Sequence, residues 1–181
     1  MPYNKTIATV EQTLNQTFTE LDGWFDRQPR DYKPHDGGWD VDEILEHITL
    51  TSHFLMIVIR KGVEKSLKRA NSHAITGDES DLAKMQTIGE NDSFVWTRPE
   101  HMEPTHTKSS AQVCFIMKNQ WQECLTLLHR LKGRAGELHK VRMSVQDLGK
   151  LDMYQWLYFL ALHAQRHIAQ IESVWAEGNQ I

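Results

Sequence analysis

Residues 153 to 177, MYQWLYFLALHAQRHIAQIESVWAE, run without a glycine or proline and repeat apolar side chains every three or four positions. At about 100° per residue, Trp156, Leu160, His163, His167, Ile171 and Val174 fall within about 60° of one direction, so the segment reads as a long helix with one face in a core. Asp152 followed by Gln155 predicts a capping box at its start, and Gly178 a stop at its end. Such a helix needs partners to cover its apolar face. It also carries two histidines, four residues apart, on that face.

Three further segments supply the partners. Over 6–28, Ile7, Val10, Leu14, Phe18, Leu21 and Phe25 make an amphipathic stripe that Pro29 and Pro34 close. The second helix starts at a capping box formed by Asp40 and Glu43, with Ile44, Ile48, Thr51, Leu55 and Val58 on one face. Val113, Met117, Trp121 or Cys124, Leu128 and Leu131 mark a third helix, stopped by Gly133 and Gly136. Between helices 2 and 3 the chain is polar from about Asn71 to Ser109, a length that predicts a crossover or lid. With short links expected between helices 1 and 2 and between 3 and 4, the chain reads as an all-α four-helix bundle with one long crossover. Its length predicts a single domain over 1–181. No repeat or strand-like alternation competes.

Charge and composition exclude several function classes. Twenty basic residues against 24 acidic ones give a net charge of −4 without a basic block, which argues against nucleic acid as a partner. The longest apolar stretch, around Phe54 to Ile59, is too short to span a bilayer, and the N-terminus lacks a signal-peptide pattern, so a cytoplasmic protein with no membrane partner is expected. Cys114 and Cys124 lie roughly 15 Å apart along one helix, beyond disulfide reach, and read as buried free thiols.

Ten histidines direct attention to where they fall. His163 and His167 stack one turn apart on the inner face, a spacing that lets two imidazoles reach one ion. His47 lies about 60° from Ile44, at the edge of the helix 2 stripe. Spacing alone leaves two readings open, hydrogen-bonded core histidines and a metal site. Within the second, Ala164 stands where an H-E-x-x-H helix needs its glutamate, which removes a zincin-type protease. The Glu-x-x-His spacing of Glu103 and His106 is interrupted by Pro104, which removes a bundle di-iron site. A mononuclear three-histidine site with open positions remains, suited to activating a bound water or thiol.

Taken together, GGWDVDEILEHITLTSHFLM and LDMYQWLYFLALHAQRHIAQIESVW resemble the two signature helices of the DinB/YfiT-like superfamily, and the likeness extends to RPEHMEPTH and LHKVRMSVQDLGKLDMYQW. The resemblance implies a four-helix bundle with a crossover between helices 2 and 3, frequent homodimers, and one divalent metal, zinc or nickel. It carries over three ligands, His47, His163 and His167. For activity it implies a thiol S-transferase or a hydrolase acting on a small molecule, with water or a low-molecular-weight thiol as nucleophile. The alternative is a non-catalytic dimeric stress-response or interaction protein with a structural metal or none.

Other residues carry secondary expectations. Glu43 and Gln170 are candidates to orient ligand imidazoles. His53 reads as a surface or helix-contact residue, His139 as an exposed loop residue, and His101 and His106 as parts of a crossover lid. Arg166 is expected to face solvent or a dimer partner. Trp39, Trp121, Trp156 and Trp175 are assigned to packing.

Overall fold

The computed structural model describes residues 5–75, 79–90 and 99–179. Four helices dominate it: α1 (Lys5–Trp24), α2 (Val41–Ala70), α3 (Ser110–Arg130) and α4 (Met153–Gly178). α4 packs against α1 and α2, and α3 packs against the same two, so α1 lies diagonal to α2 and α3 to α4. This is the all-α bundle that the periodicities predict. No described helix is long and apolar enough to cross a membrane.

Both expected capping boxes form. Asp40 accepts from the Glu43 amide while Glu43 accepts from the Asp40 amide, each at 2.8 Å, and Asp152 and Gln155 exchange the same pair at 3.0 Å. A third, Ser109 with Gln112, opens α3. Each box satisfies amides that a helix start otherwise leaves orphaned, and so fixes the register of the helix that follows. Register matters because it decides which side chains face the neighbour.

Val10, Leu14, Phe18 and Leu21 of α1 are fully buried, as are Ile44 and Ile48 of α2. Further along α2 the buried stripe departs from expectation: Met56, Ile59 and Val63 are fully buried, whereas Leu55 and Val58 are only partly so. At Gly62 the start of α4 comes so close that a Cβ would lie 2.0 Å from Met153 Sδ. The last third of α2 thus lies against the start of α4, while the start of α2 at His47 meets the middle of α4, so the two run antiparallel. The first half of α4 is buried on every side, from Met153 to Ala164. A helix that apolar all round needs cover beyond its two neighbours.

The connections provide it, and here two expectations need correcting. The link between α3 and α4 is not short. Residues 131–152 hold a 3₁₀ turn (Ala135–Leu138) and a hairpin in which β1 (Val141–Met143) pairs antiparallel with β2 (Gly149–Leu151). Three-residue strands are too short to print an alternating pattern in the sequence. The crossover is also more ordered than its polarity suggests. It contains 3₁₀ turns at Ala83–Gly89 and Glu100–Met102, and the first buries Met85 and Ile88, three apart as the 3₁₀ period demands. Residues 76–78 and 91–98 of the crossover lie outside the described ones. α1 stops at Trp24 rather than 28, because the buried Arg30 guanidinium takes the carbonyls of Phe25 and Arg27 at 2.6 and 2.7 Å. The same group reaches Asp42 and Ser110, joining the starts of α2 and α3.

Candidate metal centre

The antiparallel pairing of α2 with α4 brings a residue near the start of one helix to the middle of the other. His47 of α2 meets His163 and His167 of α4 there, and one potential ligand atom from each lies within 4.8 Å of the others. The ring centroids are 4.6 to 5.4 Å apart. His47 and His163 are buried, and His167 is partly buried. Among the described residues this is the group of histidine, cysteine and carboxylate side chains close enough to hold an ion.

Hydrogen bonds decide which ring nitrogens are available. His47 Nδ1 lies 2.7 Å from the carbonyl oxygen of Met102. A carbonyl only accepts, so Nδ1 carries the proton and Nε2 carries a lone pair. His167 Nδ1 faces Gln170 Oε1 at 2.8 Å, which leaves its Nε2 in the same state. That Nε2 is 3.2 Å from His163 Nε2. Two nitrogens bound to one tetrahedral ion at 2.0–2.1 Å stand roughly 3.3 to 3.4 Å apart. The donor set thus fits a divalent ion: neutral imidazoles with the proton fixed on the outer nitrogen of two rings and the inner nitrogens converging.

Electrostatics act in the same direction. Burial first, then the neighbouring His167, His47 and Arg166, hold His163 well below its ordinary pKa, so it stays neutral. Neutral imidazole is the form that binds metal. A consequence for stability follows in the metal-free protein. The unfolded chain takes up this proton near pH 6.5, and the native chain does not until much lower pH. Stability should therefore fall as pH drops below about 6.5, by up to ~1.4 kcal/mol per unit. Urea unfolding of metal-free protein between pH 7 and 5 measures that slope, and His163→Gln should remove it.

The other expected residues are distributed as follows. Gln170 is on His167. Glu43 completes the α2 capping box, pairs with Lys33, and lies 3.1 Å from His106 Nε2. His106 and His101 do sit on α2, the latter with its ring 4.2 Å from that of Phe54. His53 is exposed. His139 is partly buried beside Arg69 and Lys65, which together with burial lower its pKa; Lys65 is roughly 27 Å along α2 from His47. His139 takes no part in the cluster. Arg166 donates to the carbonyl of Glu90 at 2.5 Å, tying the crossover to α4. Trp121 stacks on Phe18, and Trp39 packs its ring 4.8 Å from that of His47. Cys124 is buried and its thiol pushed up to about 12 by that burial, so it holds no thiolate near neutrality.

Two participants escaped sequence reasoning. The Met102 carbonyl is a main-chain atom, and no residue type announces it. Glu46, next to His47, accepts from the Thr105 hydroxyl at 2.6 Å and the His106 amide at 3.1 Å. Burial would raise its pKa, but those hydrogen bonds, the Thr105 amide and nearby Lys108 outweigh it and hold the carboxyl below its ordinary value.

A family model described as the DinB superfamily matches residues 6–171, a span that includes all three clustered histidines. No curated protein and no solved structure matches the chain.

Proposed function

Since this chain belongs to the DinB superfamily, we propose that His47, His163 and His167 hold one divalent ion, zinc or nickel, and that the protein uses it to activate water or a low-molecular-weight thiol against a small-molecule substrate. The observation that carries this reading is the pair of outward acceptors, Met102 oxygen and Gln170 Oε1, which leave inward lone pairs on His47 and His167. A cation satisfies neutral imidazole nitrogens whose lone pairs converge. When bound, the ion supplies Lewis acidity, its full positive charge undiminished by a carboxylate or thiolate ligand.

The chain's own residues do the rest. α2 and α4 present the imidazoles from rigid elements, and the Met102 carbonyl and Gln170 keep the rings from turning. Trp39 covers one side of His47 with an apolar ring and limits water there. With three protein ligands, a four-coordinate ion keeps one position for the nucleophile. Assembly as a homodimer, a single domain over 1–181 and a cytoplasmic location belong to the same proposal.

The test is a turnover assay on metal-free protein reloaded with zinc or nickel. Electrophiles are offered with and without low-molecular-weight thiols, alongside hydrolysable esters and amides. Metal-dependent turnover that falls more than ~100-fold in His47→Ala is expected. Metal that raises thermal stability with no turnover across the panel would instead establish a structural ion in a non-catalytic bundle.

A further inference from the structure

The Met102 carbonyl reaches His47 from 55 positions away in the sequence, at the end of a short 3₁₀ turn in the crossover. A main-chain oxygen on a connecting segment fixes an imidazole only if the segment is itself fixed. The anchor is visible. Glu46 Oε1 accepts from the Thr105 hydroxyl at 2.6 Å, and Glu46 Oε2 from the His106 amide at 3.1 Å, so both carboxylate oxygens grip neighbouring residues of one strap. His106 adopts a left-handed backbone with φ of 56° and turns its Nε2 to Glu43 Oε1 at 3.1 Å. On the other side of Met102, His101 rests on Phe54.

Glu46 and His47 are consecutive on α2, and they reach opposite ends of the same five-residue strap. Glu46 is 4% exposed. Burying a carboxylate is costly unless its oxygens are fully used, and a neutral side chain could have held a surface loop at lower cost. What the arrangement provides is a fixed relation between the anchor and the imidazole one residue away.

We propose that Glu46 is a positioning residue of the metal site, acting through Thr105 and His106 to hold the Met102 carbonyl on His47 Nδ1, so that the ring keeps its proton on Nδ1 and presents the Nε2 lone pair to the ion. The proposal rests on the metal reading above. Release of the strap removes the Met102 acceptor from Nδ1 and weakens the hold on the ring's orientation and tautomer. Metal then leaves faster and binds more weakly, although all three ligands remain.

Two variants and one control test it. Thr105→Val removes the hydroxyl at an exposed position without altering charge, Glu46→Gln replaces one of the two acceptor oxygens with a donor, and Thr105→Ser restores the hydroxyl. Zinc affinity is read by competition with a chromophoric chelator, and the His47 tautomer by ¹⁵N NMR of the metal-free protein. Thr105→Val and Glu46→Gln should weaken zinc binding by about 10- to 100-fold, with Thr105→Ser close to wild type. The His47 ring should be protonated at Nδ1 in the wild type and Thr105→Ser, and mixed in the other two. Zinc affinities within about twofold of a zinc-binding wild type, or a tautomer unmoved by both variants, would overturn it. A wild type that binds no zinc would instead sink the metal reading, with the tautomer still judging the strap.

Discussion

Replacing His163 with alanine is expected to reduce bound metal from about one divalent ion per chain to less than ~0.1, measured by elemental analysis after reloading and desalting. His163 is a buried member of the triad, with its Nε2 3.2 Å from that of His167. Its loss leaves one imidazole on each helix. Disturbing groups behind a ligand already costs 10- to 100-fold in affinity, so deleting the ligand should cost more than ~100-fold. Alanine suits a helix interior, and His163→Gln keeps more of the volume, so circular dichroism of both variants separates ligand loss from unfolding. His53→Ala, an exposed position on α2, is the matched control and should keep its ion. Full occupancy in His163→Ala would refute the ligand set.

The second large effect is on heat stability. An ion held by His47, His163 and His167 joins α2 to α4 and binds the native state alone, so it stabilises by mass action. Zinc at ~1,000 times its dissociation constant adds about 4 kcal/mol. For a chain of 181 residues this raises Tm by roughly 8 to 16 °C, since each kcal/mol is worth about 2 to 4 °C at this size. Scanning calorimetry of metal-free protein with and without zinc should show the rise, and excess chelator should reverse it. His47→Ala and His163→Ala should melt at one temperature under both conditions. A rise below ~2 °C at saturating zinc in the wild type would mean that the triad does not hold the ion in the folded state.

The parts of this architecture that were legible in the sequence are those written in side chains at helical spacing. Asp40 with Glu43 and Asp152 with Gln155 mark two helix starts because a capping box needs particular groups three residues apart. With those starts fixed, the angular positions of His47, His163 and His167 follow, and the triad forms where they converge. In the middle of α2 the stripe widens: Leu55 and Val58 pack at the edge of the core, and Met56, Ile59 and Val63 are fully buried by the arrival of α4 at Gly62, a tertiary event. Glu46 resembles any solvated helix carboxylate until the crossover is laid over it. Glu43 was expected behind His47 because one helical turn separates them; its carboxylate is instead drawn to the Asp40 amide, Lys33 and His106. The hairpin at 141–151 was missed because its strands are shorter than one readable period.

The contact that fixes His47 is made by the main chain of Met102, and this separates two kinds of sequence change. Substituting the side chain at 102 leaves the carbonyl where it is. Adding or deleting one residue between 102 and 105 shifts the spacing between the carbonyl and the Glu46 anchor, and the two contacts can no longer be made together. Between 102 and 104 the crossover is therefore constrained in length more than in identity. Drift among those side chains is compatible with an intact site, whereas loss of the Thr105 hydroxyl or a shift in the spacing is not.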